Sequence, residues 1–359
     1  MKGGNQVKTD DLRQVIKIGE VDGEDLVKVS VSKLKNWKAC QQKYHYKYVQ
    51  KLRPKTKSRP LTLGGLVHKC LEAHDMGEDW VQVIRDYNEN EFSKLFLEER
   101  AELGDIPRDC LRICRAYFNH YLEIDKKFET IACEVGFMIR VPGTKYVIEG
   151  IIDKVARNTV TNKVWGIEHK TMKKGLPTET YRATDIQTTV YEWALAVMAP
   201  ELGFEAKDLG GMMFDYIKTK PPTVPKILKN GTMSKAKIDC DKWTYIEYLK
   251  KAGLDPADYK DFIDTLASDD SFRRIPLAKS KTMVKLIMTD FINGIDQMKQ
   301  WENKPTRNLA WTCDRPKCEY RELCMAELQG IDTKEIIKLN FETREDENGK
   351  DSGTDDSDD

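Results

Sequence analysis

The sequence predicts an α/β fold, in which a central sheet is flanked by helices. Three strand patterns follow one another at 130–141, 146–156 and 164–170, where β-branched and aromatic residues alternate with polar ones. A helical pattern occupies 181–199, and a further strand pattern follows at 210–219. This succession of strands and helices is typical of an α/β domain.

The chain before these strands is mostly helical in pattern. Residues 1–28 are polar, and we interpret them as a flexible lead-in or one short strand. Ser32 is a candidate cap for a helix in which aromatic residues and Cys40 recur among lysines. Such a helix suits either a nucleic-acid surface or an ordinary amphipathic helix with a solvated lysine face.

Three more helical patterns precede the first strand, at 63–76, 80–103 and 108–128. The third carries Cys110 and Cys114 one turn apart. Two ligands alone do not make a metal site, so we interpret these cysteines as packing residues.

The chain after the fourth strand divides into three parts. Residues 220–280 are rich in proline and lysine, and we interpret them as an insertion with a short helix at 243–252. A long helix is predicted at 281–301. The tail at 342–359 contains no large apolar residue to bury, so it is predicted to be disordered.

Charge is balanced overall but uneven along the chain. Lysine plus arginine and aspartate plus glutamate each number 59. The segment 342–359 contains nine acidic residues against Arg344 and Lys350, a net charge of −7, so the remainder carries +7. A mildly basic body with an acidic tail is compatible with nucleic-acid binding.

Composition also bears on the compartment. No apolar run is long enough to span a membrane and no signal-peptide core is present, so we expect a cytoplasmic protein. In a reducing compartment, clustered cysteines are more often metal ligands than disulfides. Three of the nine cysteines fall within twelve residues, namely Cys313, Cys318 and Cys324.

Two neighbouring strand patterns carry the residues that suggest chemistry. Side chains two apart on a strand share a face, so Asp153 points the same way as Glu149, and Glu168 the same way as Lys170. If these strands form a hairpin, two carboxylates and an ammonium group converge, which suits a divalent metal beside a positive charge. The alternative is a hairpin with a charged, exposed face.

Four short motifs accompany this hairpin in a fixed order. They are GGLVHKCLEA at 64–73, EGIIDKV at 149–155, IEHKT at 167–171 and QTTVY at 187–191. Together they resemble the motifs of the RecB-like branch of the PD-(D/E)XK nuclease superfamily, which includes CRISPR-associated and phage exonucleases. The resemblance implies a restriction-endonuclease-like mixed sheet with helical insertions, in a nuclease domain spanning 29–330.

The resemblance also implies roles for six residues. These are metal ligation for His68, Asp153 and Glu168, catalysis for Lys170 with the two carboxylates, and DNA contact or site support for Gln187 and Tyr191. Mg²⁺ or Mn²⁺ would neutralise charge on the phosphodiester and activate water, and Lys170 would orient that water or stabilise the phosphorane. Glu149 and Glu134 are weak candidates for a second metal.

Iron–sulfur members of this branch have one cysteine far upstream and three near the C-terminus. Cys40 matches the upstream position, and the 313–324 cluster matches the others. The resemblance therefore implies a [4Fe–4S] cluster that fastens the ends of the chain together, which closes a very long loop. The first gap here has four residues instead of two, so zinc is the alternative metal.

The resemblance implies a metal-dependent DNA exonuclease, encoded by a phage or prokaryote, acting on single-stranded or end-containing DNA in replication, recombination or repair. No Walker A motif is present, so any helicase would be a separate protein, as would a single-strand-binding partner. The alternatives are a non-catalytic iron–sulfur DNA-binding module and a zinc-stapled endonuclease or junction resolvase. Strand preference and polarity are not encoded in these motifs.

Overall fold

A computed structural model describes residues 13–56, 58–173, 176–177, 184–236, 240–266, 271–314 and 318–343. The strands in these residues are β1 (Val15–Ile18), β2 (Val27–Ser30), β3 (Leu52–Pro54), β4 (Phe128–Arg140), β5 (Tyr146–Asn158), β6 (Val164–Met172), β7 (Leu209–Lys218), β8 (Phe272–Leu277) and β9 (Phe341–Thr343).

Helices occur before, between and after the strands. The α-helices of the described residues are α1 (Val31–Ala39), α2 (Gln41–Tyr44), α3 (Arg59–Asp75), α4 (Trp80–Asn90), α5 (Leu97–Leu103), α6 (Ile106–Asp125), α7 (Ile186–Met198), α8 (Lys242–Lys251), α9 (Lys260–Asp264), α10 (Lys281–Trp301), α11 (Arg321–Leu328) and α12 (Lys334–Asn340). A π-helix, His45–Val49, continues α2.

The main sheet contains seven strands from the described residues, in the order β1-β4-β5-β6-β7-β8, with β2 also paired to β5. The pairs β4–β5, β5–β6 and β7–β8 are antiparallel, whereas β1–β4, β2–β5 and β6–β7 are parallel. This mixed sheet with flanking helices confirms the predicted α/β fold.

Helices cover both faces of the sheet. One hydrophobic cluster joins α1, α7 and α10 to sheet residues that include Met212, and a second joins α3, α4 and α6 to residues that include Ile217. Met212 and Ile217 lie five positions apart on β7, and side chains at an odd spacing on a strand point to opposite faces. The sheet is therefore the middle layer of three.

Two boundaries differ from the sequence prediction near the N-terminus. Residues 1–12 of the predicted lead-in lie outside the described residues, and the following segment contributes two strands, β1 and β2, instead of at most one. The cap of α1 is Ser30, whose side chain accepts a hydrogen bond from the Lys33 amide, and Ser32 lies inside the helix. The prediction failed because both serines precede the same helical pattern.

The predicted insertion is only partly separate from the sheet. Its middle portion packs α8 and α9 around a small cluster that includes Tyr245 and Tyr259. Its end forms β8, which pairs with β7 in the main sheet, so the prediction that 220–280 lies beside the core is wrong for Phe272–Leu277. The alternation FRRIPL is too short to distinguish a sheet strand from an insertion.

The C-terminal end of the described chain returns to the segment that precedes α3. β3 and β9 pair as a two-stranded antiparallel sheet, with Leu52 opposite Thr343. Tyr46, Tyr320 and Phe341 pack together there in one cluster, and Tyr320 stacks on Phe341. The first two residues of the predicted acidic tail thus belong to β9, and 344–359 lie outside the described residues.

None of the helices that the described residues form is both long enough and apolar enough to cross a membrane.

Candidate active site at a fork in the sheet

The candidate site lies where one edge of β5 changes partners. β2 pairs with β5 up to Glu149, and β6 pairs with it from Lys154 onward. Between these two ladders Asp153 projects from β5, and its Oδ2 accepts a hydrogen bond of 2.7 Å from the backbone N–H of His169 on β6. The carboxylate thus satisfies an amide that the diverging strands leave without a backbone partner.

The two motif residues on β6 meet the first turn of α7. Gln187 Nε2 donates to Glu168 Oε1 at 2.9 Å, and Lys170 Nζ donates to Gln187 Oε1 at 3.3 Å. Lys170 Nζ also lies 3.2 Å from Glu168 Oε1. All three side chains are buried. The amide of Gln187 therefore holds the carboxylate and the ammonium group in one arrangement.

His68 comes to the same place from α3. Its Nδ1 lies 3.7 Å from Asp153 Oδ2, and its ring meets the ring of His169 edge-on at 5.9 Å. Burial lowers the pKa of His68 to about 4, although Asp153 opposes this shift. At neutral pH the imidazole is uncharged, which is the form that binds a metal ion.

Close packing fixes the height of α3 above β6. A methyl group added to Gly64 would lie 2.7 Å from Thr171 Oγ1, directly after the motif lysine. Farther along, Asp75 Oδ1 accepts from Lys154 Nζ at 2.6 Å, in an ion pair that is nearly buried. These two contacts lie on either side of His68 and hold it over Asp153.

Tyr191 supports the site from one turn farther along α7. Its ring is buried and packs edge-to-face on Phe137 at 5.5 Å. A methyl group on Gly150 would lie 2.7 Å from Phe137 Cζ and 3.0 Å from Tyr191 Cε1. Glycine in the EGIID segment is therefore required for Tyr191 to approach β5, and burial together with Glu168 raises the pKa of its phenol.

More carboxyl groups surround Asp153 than can ionise together. Burial, followed by the charges of Asp153, Glu72 and Glu168, raises the pKa of Glu134 to about 9. Glu134 also has a positive φ of 47°, which is uncommon for a non-glycine residue. Since a divalent cation relieves this repulsion, two carboxylates and a neutral imidazole make a donor set that fits Mg²⁺ or Mn²⁺.

Glu149, the other weak candidate for a second metal, has a different partner. Its Oε1 accepts from Lys33 Nζ of α1 at 2.9 Å. A second lysine of α1, Lys35, lies 3.3 Å from Asp185, the N-cap of α7. Two lysines of the predicted basic helix are therefore engaged with acidic groups of the sheet and of α7, and its role in nucleic-acid binding stays a prediction.

A buried ionic network supports His169, the middle residue of the IEHKT motif. His169 Nδ1 lies 3.2 Å from Asp215 Oδ2 on β7, and Arg274 Nε on β8 lies 3.2 Å from the same oxygen. Tyr117 also donates to Asp215, and Arg274 pairs with Asp125. Sequence reasoning missed this network, whose only signal is an acidic residue, Asp215, within an otherwise apolar strand.

Burial and pairing act against each other in this network. Burial alone would raise the pKa of Asp215, but Arg274, His169 and Tyr117 lower it below its ordinary value. Burial alone would lower the pKa of His169, but Asp215 and nearby carboxylates raise it. Each shift favours the charged form relative to the ordinary side chain, and the ring of His169 is anchored between Glu168 and Lys170.

The four cysteines singled out in the sequence line one cavity of about 350 Å³ near the chain ends. Cys40 separates α1 from α2, Cys324 lies on α11, and Cys313 and Cys318 precede α11. Residues 315–317, within the unusual four-residue gap, lie outside the described residues. Burial raises the pKa of the Cys318 thiol.

Hydrogen bonds hold the two ends together beside this cavity. The Gln42 amide donates to the Thr306 carbonyl at 3.1 Å, and Asn308 Nδ2 donates to the Ala39 carbonyl at 2.9 Å. These bonds lie on either side of Cys40, so contacts within the protein position the upstream cysteine against the C-terminal three.

A family model described as the PD-(D/E)XK nuclease superfamily matches residues 28–325. No curated protein matches the chain.

Proposed function

The chain belongs to the PD-(D/E)XK nuclease superfamily, and from this premise we propose that it is a divalent-metal-dependent DNA exonuclease. The supporting observation is that His68, Asp153, Glu168 and Lys170, which come from α3, β5 and β6, converge at the sheet fork. A DNA-binding module without catalysis would be expected to have lost at least one of these groups. None is lost.

His68, Asp153 and Glu168 would hold Mg²⁺ or Mn²⁺. The imidazole is uncharged at neutral pH, and one oxygen of each carboxylate accepts a hydrogen bond that holds the group in place. A bound ion supplies charge neutralisation at the phosphate and a lower pKa for an attacking water. The nitrogen ligand favours Mn²⁺ relative to an all-oxygen set while still admitting Mg²⁺.

Lys170 brings a positive charge to the reacting phosphate. Its ammonium group is fixed by Glu168 and Gln187, so little reorganisation is needed when negative charge develops in the transition state. We assign Gln187 as a positioning residue because it touches both catalytic side chains. Tyr191, one turn farther along α7, packs on Phe137 of β4.

The finer assignment to exonuclease activity on single-stranded or end-containing DNA, in replication, recombination or repair, rests on resemblance to the RecB-like branch. The mildly basic body agrees with binding to DNA.

We further propose that the four-cysteine cavity holds a structural [4Fe–4S] cluster. Four thiolates around one zinc ion would bring their sulfur atoms to about 3.8 Å from one another. Among the described residues at this cavity, no three cysteine sulfurs lie within 4.8 Å of one another. In a [4Fe–4S] cluster each of the four thiolates would instead bind a different iron atom.

Metal analysis of anaerobically purified protein tests the cluster. We expect iron and acid-labile sulfide with a brown colour, all lost in Cys318→Ser. A colourless protein with stoichiometric zinc at these cysteines would refute the cluster.

Digestion of end-labelled linear and circular single-stranded DNA, with Mg²⁺ and Mn²⁺ compared, tests the enzyme. We expect degradation of the linear substrate only, abolished by Asp153→Asn and retained in Asp290→Asn, a control on the exposed face of α10. Cleavage of the circle would replace the exonuclease with an endonuclease. Full activity of a folded Asp153→Asn variant would refute the site.

A further inference from the structure

Three buried thiols meet where α3 packs against α6. Cys70 Sγ lies 3.8 Å from Cys110 Sγ, and Cys110 Sγ lies 3.8 Å from Cys114 Sγ. All three sulfur atoms lie within 4.8 Å of one another, and all three residues are fully buried. On the sequence alone, Cys110 and Cys114 are only two ligands and are interpreted as packing residues; the third thiol, Cys70, lies 40 positions upstream of Cys110.

The distances agree with coordination of one ion. A tetrahedral zinc site with bonds of about 2.3 Å to sulfur and 2.1 Å to oxygen has sulfur atoms about 3.8 Å apart and sulfur-to-oxygen distances of about 3.6 Å. The observed sulfur separations are 3.8 Å. The backbone oxygen of Trp80, at the start of α4, lies 3.7 Å from Cys70 Sγ. A fourth ligand is therefore adjacent.

Charge decides which ion fits best. Binding releases the three thiol protons and leaves three thiolates. A divalent ion reduces their charge to a net −1, whereas a monovalent ion such as Cu⁺ leaves −2. The surroundings are apolar, with Leu66, Ile106 and Ile113 in the same cluster, and burying charge there is costly. The divalent ion is favoured.

We propose that Cys70, Cys110 and Cys114 bind one structural Zn²⁺, with the Trp80 carbonyl as the fourth ligand. This site joins α3, α4 and α6. Cys70 lies two residues after His68 on α3, so the ion would brace the helix that carries the candidate catalytic histidine. The proposal is independent of the exonuclease assignment and of the iron–sulfur cluster. The alternative is three neutral thiols packed at the same distances.

Metal content separates these two possibilities. For protein produced with zinc in the medium, we expect one zinc per chain in wild type, and loss of that zinc in Cys110→Ala and Cys114→Ala. The matched control is Cys133→Ala, because Cys133 is equally buried but packs with Met76 in a separate cluster. The control should keep its zinc.

Two further measurements on the intact protein keep the proposal testable if the alanine variants do not fold. X-ray absorption at the zinc edge of wild type should give three sulfur neighbours and one oxygen. A strong zinc chelator should lower the melting temperature of wild type and of Cys133→Ala. Zinc-free wild type, zinc that persists in both alanine variants, or zinc bound by four sulfurs would each overturn the proposal. Nuclease activity is not a readout here.

Discussion

Replacing Asp215 with asparagine should destabilise the protein and loosen the catalytic strand. Asp215 is completely buried, and its Oδ2 contacts Arg274, His169 and Tyr117. The amide keeps the shape of the carboxylate but removes its charge. Arg274 then keeps only Asp125 as an acidic partner among its described ion pairs.

The free energy of unfolding should fall by about 3 kcal/mol. This is at the lower end of the range for breaking a buried ion pair, because Asp125 still compensates the charge of Arg274. For a chain of 359 residues that corresponds to a fall in melting temperature of roughly 4 °C. The matched control is Asp125→Asn, whose side chain is 29% exposed and should cost about 1 kcal/mol or less. Nuclease activity should fall as well, since His169 lies between Glu168 and Lys170.

The difference in free energy of unfolding between wild type and Asp215→Asn should also depend on pH. The pKa of Asp215 is lowered in the folded state. The contribution of Asp215 to the free energy of unfolding is therefore fully present above its unfolded pKa of about 3.9, and it is lost as pH falls through its folded pKa. Because Asp215 also raises the pKa of His169, the part of the difference that comes from this histidine is complete below its unfolded value of about 6.5 and declines as pH rises. Urea unfolding should therefore give a difference at pH 5 that is no smaller than at pH 7, and the difference should narrow below about pH 4. A loss under about 1 kcal/mol, or an equal loss in the Asp125 control, would contradict this account.

Two other substitutions test the packing and the charge of the site. Gly150→Ala should lower the free energy of unfolding by about 1–3 kcal/mol, because the added methyl group overpacks against the Tyr191 ring, and it should reduce activity. In the control variant Gly65→Ala the methyl group meets no atom within 4 Å, so this variant should not be destabilised. Equal unfolding free energies for the two variants would contradict the close approach of Tyr191 to β5. Lys170→Met should lower kcat about 100-fold or more while the fold stays intact. The control variant Lys69→Met, at an exposed position, should keep its kcat. A kcat of Lys170→Met within a few-fold of wild type would exclude the Lys170 ammonium group from the reaction.

Local pattern was sufficient for the longest elements and for groups close together in the chain. The prediction of α10 at 281–301 is confirmed to the residue, because a helix of that length shows its period over nearly six turns. The hairpin of β5 and β6 was likewise predictable, and alternation on β6 placed Glu168 beside Lys170. Helical spacing placed Gln187 and Tyr191 on one side of α7.

The match over residues 28–325 confirms the resemblance to the PD-(D/E)XK nuclease superfamily, whereas the RecB-like branch stays a prediction. The structure brings His68 to Asp153 and places all four predicted cysteines around one cavity. Their roles as metal and cluster ligands stay predictions.

Tertiary structure alone decided the remaining contacts. The hydrogen bond from the His169 backbone N–H to Asp153 depends on where the pairing of β5 with β2 ends and its pairing with β6 begins. The alternation of residues within one strand does not determine that register. The buried partner of His169 lies on β7 and is itself held from β8. Cys70 joins Cys110 and Cys114 only because α3 packs on α6. A side chain's own neighbours in sequence set its helix or strand, but its partner across the fold is set by the packing of whole elements, which depends on every contact they share.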